Sequence, residues 1–203
     1  MSQAAAITIG AGGGPARSRA THFLSGQWVG NKGEANEQAA LSDDRGMTPE
    51  PLFGAIQLPD RAWVRGRGLR DPAPAGPTPD FGLYLGSRRL WLRHRDVLAW
   101  PQAWLEWPDF GLPADRDLAI GHLRALHERA RAGERVEVAC GGGVGRTGTV
   151  IACLAILAGV PAAAGVGWAR ENYHAKAVET PWQRAWVRRF PPAARTGVVG
   201  GRG

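Results

Sequence analysis

The feature that most constrains this chain is a glycine-rich turn between a short strand and an apolar helix. Residues 135–139 have the pattern of a strand, residues 141–145 contain four glycines, and residues 146–158 are strongly apolar. Glycine lets the backbone curl so that successive N–H groups point inward, and the following helix adds the positive end of its dipole. The arrangement predicts an anion-binding site, and we call residues 141–145 the glycine loop.

Two side chains give this loop its chemistry. Cys140 precedes the loop and Arg146 follows it. A guanidinium matches two oxygens of a phosphate, and the positive field of the loop favours a thiolate placed for in-line attack on phosphorus. The Cys-x5-Arg spacing alone is a weak signal in an arginine-rich chain. A glycine-rich turn around a buried cysteine is the structural alternative, but so many glycines would stabilise a purely structural turn poorly.

The segment resembles the Cys-x5-Arg phosphatases, the superfamily of protein-tyrosine and dual-specificity phosphatases, and we expect a bacterial member. Cys140, Gly143, Arg146 and Thr147 match its His-Cys-x5-Arg-Ser/Thr pattern. The resemblance implies hydrolysis of phosphate monoesters through a phosphocysteine intermediate, without metal or other cofactor. It implies that Thr147 stabilises the departing thiolate, although its hydroxyl could instead satisfy a helix-end group. The implied phosphate-binding residues are Gly141, Gly142, Gly143, Val144, Gly145 and Arg146.

A second motif lies upstream of the cysteine. Residues 107–113, Trp-Pro-Asp-Phe-Gly-Leu-Pro, resemble the mobile Trp-Pro-Asp loop of the same superfamily. From the composition, the tripeptide is expected only about 0.03 times per chain. The resemblance implies that Asp109 is the general acid that protonates the leaving group. The alternative is a proline turn that ends a strand and is capped by Asp109; the cysteine downstream favours the acid.

Residues 179–183 resemble a third element, a loop whose glutamine positions the hydrolytic water. That resemblance implies a catalytic role for Gln183. The same residues also fit a helix start, with Thr180 as N-cap, Pro181 at the first position and Gln183 closing a capping box. We favour the catalytic interpretation and leave the capping alternative open.

One departure from the superfamily pattern is Ala139, which stands where a histidine usually precedes the cysteine. That histidine orders the loop, so its loss is expected to lower the rate roughly tens-fold. We predict a phosphatase of the tyrosine-specific or dual-specificity kind. Its substrate is a phosphoprotein or a small phosphomonoester. The alternative is a phosphatase-like module that binds phosphate with little turnover. The sequence has no match to a tyrosine-gripping loop, and its cysteine loop has no lysine. The choice of substrate therefore stays open.

Other chemistries fit the glycine loop less well. Gly143-x-Gly145-x-x-Gly148 has dinucleotide-binding spacing, but too little chain follows for such a domain. A nucleotide P-loop fails because its first glycine falls on Cys140 and arginine replaces its lysine. Arsenate reduction usually needs further cysteines, and Cys153 lies in an apolar helix.

The order of elements predicts an α/β fold with a central, mostly parallel sheet flanked by helices. We expect a disordered leader over 1–51, a catalytic domain over 52–191 and a flexible tail over 192–203. Within the domain, the pattern predicts strands at 55–58, 62–65, 81–86, 90–92, 103–107 and 135–139, and helices at 114–132, 146–158, 161–173 and 181–190.

The composition adds little about partners. The formal net charge is +7, from 25 Lys and Arg residues that are almost all arginine and are scattered along the chain. This charge suits anionic substrates, but no nucleic-acid motif accompanies it. No apolar run is long enough to span a membrane, and the first residues lack a secretory signal, so we expect a cytoplasmic protein with neither nucleic-acid nor membrane partners. The oligomeric state stays open.

Overall fold

The structure is a computed structural model that describes residues 50–192 and, as backbone alone, two short strands within the expected leader. These strands are β1 (His22–Leu24) and β2 (Gln27–Val29). The remainder of the expected leader, apart from its last residues, and nearly all of the expected tail lie outside the described residues.

A central sheet carries the elements that follow. Its strands are β3 (Ala55–Gln57), β4 (Trp63–Gly68), β5 (Phe81–Gly86), β6 (Gln102–Glu106) and β7 (Val136–Cys140). The strand order is β1-β2-β6-β5-β7-β4-β3. Strands β6, β5, β7 and β4 run parallel, whereas β3 pairs antiparallel with β4 and β2 antiparallel with β6. The predicted α/β fold with a mostly parallel sheet is confirmed.

Helices cover both faces of this sheet. They are α1 (Arg88–His94), α2 (Arg116–Arg131), α3 (Gly145–Leu157), α4 (Gly165–Asn172) and α5 (Pro181–Arg188). The larger core lies between the sheet and α2 to α5, and a smaller cluster lies on the opposite face around Trp91 of α1. No helix among residues 50–192 is long and apolar enough to cross a membrane.

The helix α2 shows how the local sequence sets these elements. The Asp115 carboxylate caps its start by accepting the Leu118 N–H at 2.9 Å. Its apolar positions, spaced at three and four residues, are buried against the sheet. Gly133 follows the end of the helix with φ of +88°, a conformation that favours glycine.

One predicted strand is wrong. Residues 90–92 belong to α1, not to a strand. In a strand, Leu90 and Leu92 would share a face and Trp91 would oppose them. The helix instead buries Trp91 in the smaller cluster and leaves Leu92 46% exposed. Three adjacent apolar residues carry no period, so packing on the sheet decided the outcome.

Candidate active site

Cys140 is the last residue of β7, at the carboxyl end of a central strand. Successive strand residues point to opposite faces, so Val138 and Cys140 face the larger core while Ala139 faces the smaller cluster. Cys140 is 2% exposed. Its Sγ accepts a hydrogen bond from the Gly143 N–H at 3.2 Å, so the glycine loop curls back over the sulfur.

Gly143 is the position where the curl requires glycine. Its φ is +76°, and a Cβ there would lie 2.5 Å from the Gly68 nitrogen and 2.8 Å from the Arg67 carbonyl carbon. Both are backbone atoms at the end of β4, so they have little freedom to withdraw. The Tyr173 hydroxyl donates to the Gly143 carbonyl and fixes the loop from the other side.

Arg146 lies in the first turn of α3 and is 5% exposed. Its Nη1 donates to the Trp107 carbonyl at 2.9 Å, and its Nη2 donates to the Asp109 Oδ1 at 2.7 Å. The Asp109 side chain is 56% exposed, so it can leave this contact. The structure therefore brings Cys140, Arg146 and Asp109 to one end of the sheet.

Side-chain donors hold the Trp-Pro-Asp loop in this position. Trp107 is fully buried, and its Nε1 donates to the Gly111 carbonyl at 2.9 Å. The Gln183 Nε2 donates to the same carbonyl at 3.3 Å. The Trp182 Nε1 donates to the carbonyl of Phe110, a residue with φ of +56°. The start of α5 therefore anchors the loop that carries Asp109.

Gln183 adopts the capping arrangement that the sequence left open. Its Oε1 accepts the Glu179 and Thr180 N–H groups at 3.0 and 3.3 Å, and its own N–H donates to the Thr180 hydroxyl. Gln183 is fully buried, with both ends of its amide bonded to the protein. Its role in positioning water stays a prediction.

Thr147 is also fully buried, in the first turn of α3. Its hydroxyl donates to the Arg67 carbonyl at 3.5 Å, which connects α3 to the end of β4. Stabilisation of a departing thiolate by this hydroxyl stays a prediction. The four glycines and Val144 form the segment between Cys140 and Arg146, as their order in the sequence requires.

Behind Cys140, on the opposite face of the sheet, lies a buried charged network centred on Glu137. Glu137 Oε2 accepts from the Nε of Arg65 at 2.6 Å and from the Nε of Arg67 at 2.9 Å. Glu137 Oε1 accepts the Tyr84 hydroxyl at 2.9 Å, and that oxygen accepts the Trp100 Nε1 at 2.6 Å. Burial raises the pKa of the Tyr84 hydroxyl, so it stays a donor. Sequence reasoning missed this network, because strand pairing alone brings its members together.

A pocket of about 390 Å³ opens at the glycine loop, and its wall includes Gly141, Arg146 and Asp109. Three arginines that the sequence analysis did not single out, Arg70, Arg89 and Arg93, also line it. They lie far from Cys140 along the chain, in the segment after β4 and in α1, and no motif connects them to it.

Within the described part of the chain, no group of three or more metal-ligating His, Cys, Asp or Glu residues occurs.

A protein-family model described as "Swiss Army Knife protein, DSP-PTPase phosphatase domain" matches residues 109–193. This segment begins at Asp109 and contains Cys140, Arg146 and Gln183. The predicted resemblance to the protein-tyrosine and dual-specificity phosphatase superfamily is confirmed. The matched segment thus includes the general-acid candidate, the glycine loop and the capping glutamine.

The chain is also similar, at low sequence identity, to solved structures of phosphatases. Tk-PTP in its active form is 22% identical, with 70% of this chain and 95% of that chain covered and a TM-score of 0.49. The kinase-associated phosphatase with its catalytic-site cysteine replaced by serine is 12% identical, with 68% and 93% covered and a TM-score of 0.45. No curated protein matches this chain in sequence.

Proposed function

We propose that this chain is a cysteine-dependent phosphatase that hydrolyses phosphate monoesters through a phosphocysteine intermediate. The observation that carries the proposal is the convergence of a thiol, a guanidinium and a carboxyl at one loop. The Gly143 N–H lies 3.2 Å from the Cys140 Sγ, and Arg146 lies 2.7 Å from Asp109. Substrates for this chemistry include small phosphomonoesters and phosphoproteins, the latter dephosphorylated with tyrosine or dual specificity.

In the first step, the phosphate dianion enters the glycine loop and Arg146 exchanges its contact with Asp109 for two phosphate oxygens. The Cys140 thiolate attacks phosphorus, so an S–P bond forms as the bond from phosphorus to the leaving oxygen breaks. Asp109 gives its proton to that oxygen. The loop N–H groups and Arg146 stabilise the charge on the three remaining phosphate oxygens.

In the second step, the Asp109 carboxylate takes a proton from water as the water oxygen attacks the phosphocysteine. The S–P bond breaks, phosphate leaves and the thiolate returns. The contact of Gln183 with the Gly111 carbonyl supports a role for this residue in placing Asp109, because Gly111 lies in the loop that carries the acid. The Thr147 hydroxyl donates to the Arg67 carbonyl, which supports a role for this residue in fixing the start of α3 against β4 in both steps.

A phosphate-binding module with little turnover is the second candidate, and Ala139 motivates it. Ala139 is fully buried beside Tyr84, Trp91 and Trp104 on the face away from the thiol. With alanine at this position, the side chain that precedes Cys140 cannot hydrogen-bond to the loop as a histidine would. Gly68 and Tyr173 brace the loop in this chain instead, through close packing and a hydrogen bond at Gly143. Bracing of this kind favours the enzyme over the inert module.

The test is hydrolysis of p-nitrophenyl phosphate across about pH 5–7.5 in the presence of EDTA. We expect turnover by the wild type, a loss of at least about 10⁴-fold in Cys140→Ser, and a loss of about 10²–10⁴-fold in Asp109→Ala. Trapping of a ³²P-labelled protein by acid quench would identify the phosphocysteine directly.

Matched controls separate these roles from general damage. Cys153→Ala removes the other thiol, which is fully buried and whose pKa burial raises, and it should keep full activity. Asp117→Ala removes an acid whose side chain is 93% exposed, outside the site. Full activity of Cys140→Ser would refute the mechanism. A wild type that binds vanadate without turnover would establish the binding module.

A further inference from the structure

Three arginines in the pocket have no role in the reaction just described. Arg70, Arg89 and Arg93 line the same cavity of about 390 Å³ as Arg146 and Asp109. A cavity of this volume suits a small molecule. Its lining holds many more charged groups than the transfer of a single phosphate requires.

Arg70 is hydrogen-bonded to the glycine loop. Its backbone N–H donates to the Gly141 carbonyl at 3.1 Å. A Cβ placed on Gly141 would lie 3.8 Å from the Arg70 Nε and 3.7 Å from the Arg146 Nη2. Two guanidinium groups therefore approach one point of the loop, although the bound phosphate needs only the fork of Arg146.

Arg89 and Arg93 extend the positive surface outward from this point. They lie four residues apart in α1, so they share one face of that helix, and the helix contains no acidic residue. Within residues 50–192, neither they nor Arg70 has a carboxylate within ion-pair distance. Their charge is therefore available to a ligand.

We propose that the site takes a compact substrate that carries a second phosphate group beside the one that is hydrolysed. The proposal rests on the proposed function for the first phosphate, and assigns the second to Arg70, Arg89 and Arg93. Phosphate pairs strongly with arginine forks. The described lining contains no aromatic side chain, and Leu90 is its one apolar residue, so it offers little to the ring of a phosphotyrosine.

Calorimetric titration of the full chain carrying Cys140→Ser tests this with fructose 1,6-bisphosphate and fructose 6-phosphate at about 0.15 M ionic strength. We expect the bisphosphate to bind at least about tenfold more tightly, since one well-paired phosphate is worth that factor. Adding Arg89→Ala and Arg93→Ala should reduce the advantage to about threefold or less. Arg124→Ala, which removes an exposed arginine of α2, should preserve it.

The outcomes distinguish this proposal from the catalytic one. Equal affinity for the two sugars, or an advantage that survives the double substitution, would overturn the second-phosphate site whatever the enzyme does. A phosphotyrosine peptide that binds more tightly than the bisphosphate would also overturn it. Suppose that the Cys140→Ser chain binds the bisphosphate more tightly but the wild type does not hydrolyse p-nitrophenyl phosphate. That result would refute the phosphatase activity and retain the second-phosphate site. Circular dichroism checks that the double variant is folded.

Discussion

At the scale of single residues, the glycine loop depends most on position 143. We predict that Gly143→Ala lowers the free energy of unfolding by about 1–3 kcal/mol, because a positive φ and two backbone contacts oppose a Cβ. Gly142→Ala is the matched control, since its Cβ would meet nothing within 4 Å and its φ is ordinary. Urea unfolding followed by tryptophan fluorescence measures both. Equal stability of the two variants would contradict the strain argument.

The sequence indicated candidate residues for the site, but it did not indicate the contacts among them. Cys140 and Arg146 could be found because their spacing is enforced by one loop, and Asp109 because its motif is rare. Arg70, Arg89 and Arg93 could not be found, because their position depends on how β4 and α1 meet the loop. Such contacts arise from tertiary packing, which no local pattern in the sequence records.

At the scale of elements, the network around Glu137 connects β7 to β4 and β5. We predict that Glu137→Ala lowers the free energy of unfolding by about 3–5 kcal/mol, because it leaves Arg65 and Arg67 without their buried carboxylate. Tyr84→Phe removes two hydrogen bonds, one to Glu137 and one from Trp100, but it leaves the ion pairs intact and should cost less, about 1–3 kcal/mol. Chemical denaturation measures both. A smaller loss in Glu137→Ala than in Tyr84→Phe would show that the charges are not the essential part.

The start of α5 allows the two interpretations of Gln183 to be separated. Gln183→Glu keeps an acceptor for the capping box but loses the donor to Gly111, whereas Gln183→Ala loses both. We predict that Gln183→Ala costs about 0.5–2 kcal/mol of stability, and that Gln183→Glu costs at least as much at neutral pH because its buried carboxylate would face the Gly111 carbonyl oxygen.

Acid-quench trapping of the phosphoenzyme supplies the readout that a cap alone would not change. If Gln183 also serves hydrolysis of the intermediate, both variants accumulate more phosphocysteine than the wild type. Unchanged accumulation in both variants would leave Gln183 as a helix cap and loop anchor alone.

The elements themselves followed the sequence wherever a period was present. The spacing of Ile120, Leu123 and Leu126 predicted α2, and its buried face confirms it. Residues 90–92 were predicted wrongly, since a short apolar run fits either a strand or a helix.

At the scale of the whole molecule, the proposed nucleophile and a stabilising ion pair lie at opposite ends of the parallel strands. Cys140 ends β7 at its carboxyl end, where ligands bind in sheets of this type. At the opposite end, Asp80 accepts the Arg135 backbone N–H at 2.8 Å and pairs with its guanidinium at 2.7 Å. Arg135 precedes β7, so this pair lies about 16 Å along the strand from the thiol.

The hydrogen bond from Arg135 lowers the pKa of the Asp80 carboxyl. A folded-state pKa below the unfolded one stabilises the protein above the unfolded value, and this stabilisation is lost as pH falls through the folded value. We predict that Asp80→Asn lowers the unfolding free energy at pH 7 by about 0.2–1 kcal/mol, because the side chain is 37% exposed and screened by solvent. The difference from wild type should shrink as pH falls below the unfolded carboxyl pKa of about 3.9, and it should vanish once the folded-state carboxyl is protonated. Because the pair is remote from Cys140, the rate of p-nitrophenyl phosphate hydrolysis should be unchanged. A rate that falls together with stability would show that the two ends of the sheet are coupled.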